Sequence, residues 1–130
     1  MSFPKKFTLT GTTASGALVC YSTSSNGPPY AFGRVVMVKY TKDATNGFAD
    51  GSTMTLTTED TGQTIWAQTG VNASTIVYPT TQVQGSTGTG LTYDGTRTVC
   101  EPIMVCHERL VMTVSSAGNG KVGTWDVYVE

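Results

Sequence analysis

The residues with the most chemical capacity are the one histidine, His107, and the three cysteines, Cys20, Cys100 and Cys106. Histidine is the usual proton carrier of a Ser-His-Asp hydrolase, because its pKa lies near neutrality. Such a hydrolase of the nucleophile-elbow type also holds its serine on a sharp turn, and no Gly-x-Ser-x-Gly segment is present. His107 sits between two apolar-alternating runs and reads as a turn residue. Cys100, Cys106 and His107, with distant Cys20, offer zinc-ligand types. The closely spaced cysteine pairs of structural zinc sites are absent. The cysteines are expected to be reduced and buried, with Cys100 and Cys106 as core fillers on one strand.

The Gly85-Ser86-Thr87-Gly88-Thr89-Gly90 run is not a phosphate loop. No Lys-Ser/Thr pair follows it, and no helix starts after it to aim backbone N–H groups at an anion. Asp43, Asn46 and Asp50 miss the spacing of a helix-loop-helix calcium site and suit turns. The carboxylates are scattered, whereas a glycosidase needs two of them across a cleft. No catalytic residue, metal site or cofactor is therefore expected.

The chain has 130 residues and a formal net charge of -1, which gives no electrostatic case for a nucleic-acid partner. Charged residues make up 13%, against about 25% in ordinary domains. Threonine is the substitute, with 24 copies. It hydrogen-bonds without charge, so a neighbour covers it at less desolvation cost than Lys or Glu. No apolar run is long enough to span a bilayer, and the N-terminus lacks the apolar centre of a secretion signal. No membrane partner is expected, and synthesis and retention in a cytosol are.

Short alternating runs recur along the chain, with no amphipathic helix among them. They predict an all-β fold, a single antiparallel β-sandwich over 1–130 of jelly-roll or immunoglobulin-like type, with eight or nine short strands. A free N-terminal arm over 1–5 and a long loop over 80–98 complete the plan. In the Gly33–Tyr40 run, Val36, Val38 and Tyr40 fall on one face, and Val35 and Met37 on the other. In Gln63–Gln68, Ile65 and Ala67 point inward and Trp66 outward, as an interface anchor or under a loop. Trp125 is placed in the core.

The closing segment flanks Asn119-Gly120 with alternating runs, a strong hairpin signal. The expected register pairs Leu110 with Val129, Met112 with Val127 and Val114 with Trp125 on the core face. Arg109 then meets Glu130, Val111 meets Tyr128, and Thr113 meets Asp126.

Two segments resemble a known family. Thr55–Pro79 reads TLTTEDTGQTIWAQTGVNASTIVYP, in which Thr57, Thr58, Thr61, Gly62, Ile65, Val71 to Ser74 and Pro79 carry the pattern. The second is Arg109–Val129, through Arg109, Leu110, Met112, Val114, Gly118, Gly120, Lys121, Gly123, Thr124, Trp125, Val127 and Val129. Together they cover under half of the chain and resemble small head-associated structural proteins of tailed bacteriophages, of the capsid cement or decoration type. Where those relatives carry Pro-Arg, this chain has Pro79-Thr80, so a basic contact there is not carried over.

The resemblance implies a non-enzymatic virion protein, made in the host cytoplasm and bound to the capsid exterior. It would bridge subunits of the major capsid protein and self-associate as a symmetric oligomer. The expected interface is Val35, Met37, Trp66 and Tyr78, with Gln82, Val83, Leu91 and Tyr93 of the long loop. One alternative is a head-tail neck or connector component. Another is a carbohydrate- or ligand-binding sandwich module, which requires Trp66 and tyrosines exposed together on one face.

Overall fold

The computed structural model describes residues 4–24, 27–71 and 73–130. Most of the N-terminal arm expected at 1–5 lies outside them. Lys5 already belongs to the first strand. Eleven strands run through the described residues: β1 (Lys5–Thr12), β2 (Leu18–Tyr21), β3 (Ala31–Lys42), β4 (Thr53–Thr58), β5 (Thr64–Thr69), β6 (Thr75–Val77), β7 (Thr80–Gln82), β8 (Cys100–Pro102), β9 (Met104–Glu108), β10 (Leu110–Ser115) and β11 (Val122–Val129). The fold is all-β, and every pairing is antiparallel. One sheet has the order β1-β11-β3-β6, with β9 also on β3. The other has the order β2-β10-β4-β5. The count exceeds eight or nine because the one strand expected to hold Cys100 and Cys106 divides into β8 and β9, and β7 forms inside the long loop.

The two sheets share one core. Phe7, Leu9, Val38, Tyr40, Trp125 and Val127 point into it from the first sheet, and Met54, Leu56, Leu110, Met112 and Val114 from the second. Each large apolar side chain buried this way contributes about 1.5–3 kcal/mol. At one end, Tyr40, Phe48 and Trp125 stack, with ring centroids 5.5 to 5.9 Å apart. Gly123 makes room for them, since a Cβ there would lie 2.5 Å from the Phe48 ring and 2.8 Å from that of Trp125.

Tyr40 Oη and Trp125 Nε1 are buried without hydrogen-bond partners. Burial, with the Asp43 charge second, pushes the Tyr40 phenol above its usual pKa. A buried donor without a partner carries its full desolvation cost. Tyr40→Phe is therefore expected to raise stability by about 1 kcal/mol, read as a higher urea midpoint. A lower midpoint would contradict the unpartnered hydroxyl.

The terminal hairpin does not form. β10 pairs with β2 and β4, and β11 pairs with β1 and β3, so the two strands lie in opposite sheets. The six core residues do all point inward, but across the core rather than side by side. The reason is Thr13, which captures the connecting segment. Its hydroxyl donates to Gly118 O at 2.6 Å and accepts from Lys121 N at 2.9 Å, and its backbone bonds Gly120 and Lys121. Arg109 meets Glu59 rather than Glu130, with two bonds of 2.5 and 2.6 Å. Asp126 accepts from Thr8 at 2.9 Å rather than facing Thr113.

Two β-bulges overturn the facing expected for neighbouring side chains. In β3, Tyr128 pairs with Met37 and Val129 with Val35, leaving Val36 as the extra residue. Val35 therefore joins Val38 and Tyr40 in the core, while Val36 turns outward. In β5, Leu56 pairs with Trp66 and Thr57 with Thr64, leaving Ile65 extra. Ile65 and Trp66 are then both buried and Ala67 is exposed. An inserted residue shifts the two-residue period by one step, which alternation in sequence does not register.

The β4–β5 turn is held by a carboxylate. Glu108 accepts from the backbone N–H groups of Asp60 and Thr61, both at 2.8 Å, and from the Thr61 hydroxyl at 3.0 Å. The Thr61 N–H bond is the main cause that lowers its pKa below the usual glutamate value, against an opposing effect of burial. A depressed carboxylate stabilises the fold above its unfolded pKa, and that contribution is lost as pH falls through the folded pKa. Glu108→Gln is expected to melt lower than the parent at pH 7, with the gap closing below the ordinary glutamate range. A gap unchanged at acidic pH would show that the charge is not what holds the turn.

Candidate interaction surface

β6 and β9 both pair with the same edge of β3, one after the other along it. The chain between them, 78–102, leaves the sandwich as an arm. The arm is ordered by backbone bonds. β7 and β8 pair Thr80 with Pro102, Thr81 with Glu101 and Gln82 with Cys100. The ladder continues as Val83 N donates to Val99 O at 2.7 Å, Leu91 N to Val83 O at 2.7 Å and Val99 N to Leu91 O at 3.2 Å.

Turn chemistry fixes both reversals of the arm. Gly88 has φ 82° between Gly85 and Thr89, whose backbones are bonded at 2.8 Å. Asp94 Oδ1 accepts from Thr96 N at 2.9 Å and Arg97 N at 2.6 Å. Those N–H groups, that of Arg97 first, hold the Asp94 carboxyl below its usual pKa. Thus the segment 80–98, expected as a loop, is a small meander.

No residue of the arm from 78 to 102 is buried. Tyr78 is 70% exposed and Tyr93 64%, and Leu91 is exposed as well. Gln82 and Val83 are half-buried within the arm itself. At its root the outer face of β3, β6 and β9 exposes Phe32, Val36, Ile76 and Met104. A groove of about 300 Å³ runs between arm and sandwich, lined by Arg34, Val36, Tyr78, Pro79, Thr80 and Pro102. Large exposed apolar side chains beside a groove mark contact sites, and the charged Arg34 and Glu130 share this groove with them.

The expected interface residues divide accordingly. Tyr78, Gln82, Val83, Leu91 and Tyr93 come together on the arm, and Met37 lies half-buried on the outer sheet face. Val35 and Trp66 do not join them. Val35 is turned into the core by the β3 bulge. Trp66 is 9% exposed, and its Nε1 donates to Gln68 at 3.2 Å. A ligand-binding face built on Trp66 is therefore missing its tryptophan. Phe32 and Met104 were missed because Phe32 lies just before the Gly33–Tyr40 run and the run around Met104 is too brief to fix a face by alternation.

The candidate reactive residues are dispersed. Among the described residues no three His, Cys, Asp or Glu side chains gather as a metal site would need. His107 takes φ 57°, and its ring stacks on Tyr30 at 5.0 Å. Cys100 and Cys106 are exposed rather than buried: Cys100 lies in the arm on β8, where every residue is exposed, and Cys106 falls on the outward phase of β9. Cys20 is buried, and burial pushes its thiol up to about 11. No protein family, curated protein or solved structure matches this chain.

Proposed function

We propose that this chain is a non-enzymatic structural protein of a bacteriophage head, a cement or decoration protein that binds the capsid exterior and bridges subunits of the major capsid protein. The observation that carries this reading is the arm over 78–102, which is hydrogen-bonded throughout yet buries none of its residues. Ordering a backbone costs about 1–2 kcal/mol per residue. A small meander with no covered apolar face has little to offset that cost. A neighbouring protein surface laid over Tyr78, Leu91 and Tyr93 would supply the missing burial. Binding only to the assembled shell then stabilises the shell by mass action. The low charge and the resemblance of the two segments to head-associated proteins support the same reading.

The test is co-sedimentation with purified capsids. The parent chain is expected to pellet with them, and Tyr93→Lys to remain in the supernatant with an unchanged circular dichroism spectrum. A parent chain that never pellets with capsids overturns the proposal. A copy number of only a few per particle on a stained gel would move the protein to the neck.

A further inference from the structure

We infer that Asn46 is a site of spontaneous modification, where the side-chain amide is lost to attack by the backbone nitrogen of Gly47, and that the fold spares the same pair at Asn119-Gly120. Nothing in this depends on the proposed role at the capsid. The chain holds three Asn-Gly pairs, at 26–27, 46–47 and 119–120. Asn26 lies outside the described residues. Asn-Gly is the pair most open to this reaction, because glycine has no side chain to obstruct its nitrogen or to restrict the backbone as a ring closes. The Gly47 N–H gives its proton to hydroxide, and the nitrogen bonds to Cγ of Asn46. The Cγ–Nδ2 bond breaks, and Nδ2 takes a proton from water and leaves as ammonia, which completes a five-membered imide. Water then opens the imide at one of its two carbonyls. The product is an aspartate or, with the main chain rerouted through Cγ, an isoaspartate.

Both asparagines are exposed, so access of water does not separate them. The state of the reacting atoms does. At 119–120, Gly120 N donates to Thr13 O at 3.0 Å, and Asn119 Oδ1 accepts from Ser15 N at 3.1 Å. Nucleophile and electrophile are both tied to the 13–15 segment, and both bonds must break before the two meet. At 46–47, Gly47 N and the Asn46 side-chain amide have no hydrogen-bond partner among the described residues. The bonds Asn46 does make run through its backbone. Its N–H donates to Asp43 Oδ2 at 2.7 Å, and its carbonyl accepts from Val122 N at 2.8 Å. The second bond draws electron density from the 46–47 peptide, which makes the Gly47 N–H a better acid.

The position gives the reaction a structural effect. Two residues on, Phe48 is buried and stacks on Tyr40 and Trp125. An isoaspartate takes the carbonyl that holds Val122 out of the main chain and lengthens the path to Phe48 by one atom. Either product sets a new carboxylate beside that of Asp43. Both changes loosen the end of the core that Phe48 closes.

Ageing the full chain at mildly alkaline pH, followed by peptide mapping with fragmentation mass spectrometry, tests the inference. Asn46 is expected to gain one mass unit about tenfold faster than Asn119. Its rate is expected to rise with pH, since Gly47 must lose a proton. In unfolding urea the two sites are expected to react at similar rates. The aged chain is expected to melt about 4 °C lower than the fresh one, and aged Asn46→Ser to keep its fresh midpoint. Equal rates in the folded chain overturn the inference. So does Asn119 lagging as far behind in urea, which would place the difference in the neighbouring residues and not in the fold. A modified chain with an unchanged midpoint overturns the link to Phe48.

Discussion

Gly33→Ala is expected to lower the thermal midpoint by about 10 °C, from a loss of about 3 kcal/mol. Gly33 sits where β3 is pinned between two partners. On one edge it pairs with Val105 of β9, and on the other its neighbour Arg34 exchanges two bonds with Glu130, of 3.0 and 2.9 Å. Its φ is 131°, a conformation that side chains rarely adopt. A Cβ there would lie 2.3 Å from the Glu130 carbonyl oxygen. That atom is backbone, so relief requires β11 to move away from β3 and the Arg34–Glu130 pair to break. Gly70→Ala is the matched control. Gly70 also has positive φ, at 79°, but nothing lies within 4 Å of an added Cβ. Its cost is expected to stay near 1 kcal/mol. Equal losses at the two sites would mean that backbone strain alone, and not the close approach of β11, governs Gly33.

Trp125→Ala is expected to cost about 4 kcal/mol, seen as a large fall in the urea midpoint. Trp125 is fully buried and stacked against both Tyr40 and Phe48. Removing it leaves a cavity that its neighbours fill poorly, since β11 is held on both edges by β1 and β3. Trp125→Phe is expected to cost much less. It keeps an aromatic ring in the stack and removes the buried Nε1 donor that has no partner. A loss under about 1 kcal/mol for the alanine variant would show that the core closes over the gap, contrary to close packing.

These two positions mark the boundary of what alternation in sequence reveals. Trp125 was legible, because a period of two places it with Val127 and Val129 on an inward face. Gly33 was not, because its role depends on where Glu130 arrives from the far end of the chain. The arm over 78–102 was legible only as an unusual segment. Its order comes from backbone bonds between Val83, Leu91 and Val99, which few side chains announce. The candidate interface followed the same division. Tyr78, Leu91 and Tyr93 are exposed because the surrounding sequence offers them no core, whereas Val35 and Trp66 were reassigned by single-residue bulges.

By itself, then, the sequence determined the all-β class, most of the strand positions in the sandwich and most of the inward-facing residues. Alternating side chains on a pleated strand leave no other way to bury apolar surface. Only the tertiary structure decided which strands are neighbours. Leu110–Ser115 and Val122–Val129 bury the same residues whether they pair side by side or face each other across the core. The choice was made by Thr13, more than a hundred positions away, whose hydroxyl and backbone take the bonds that a hairpin turn would have kept for itself.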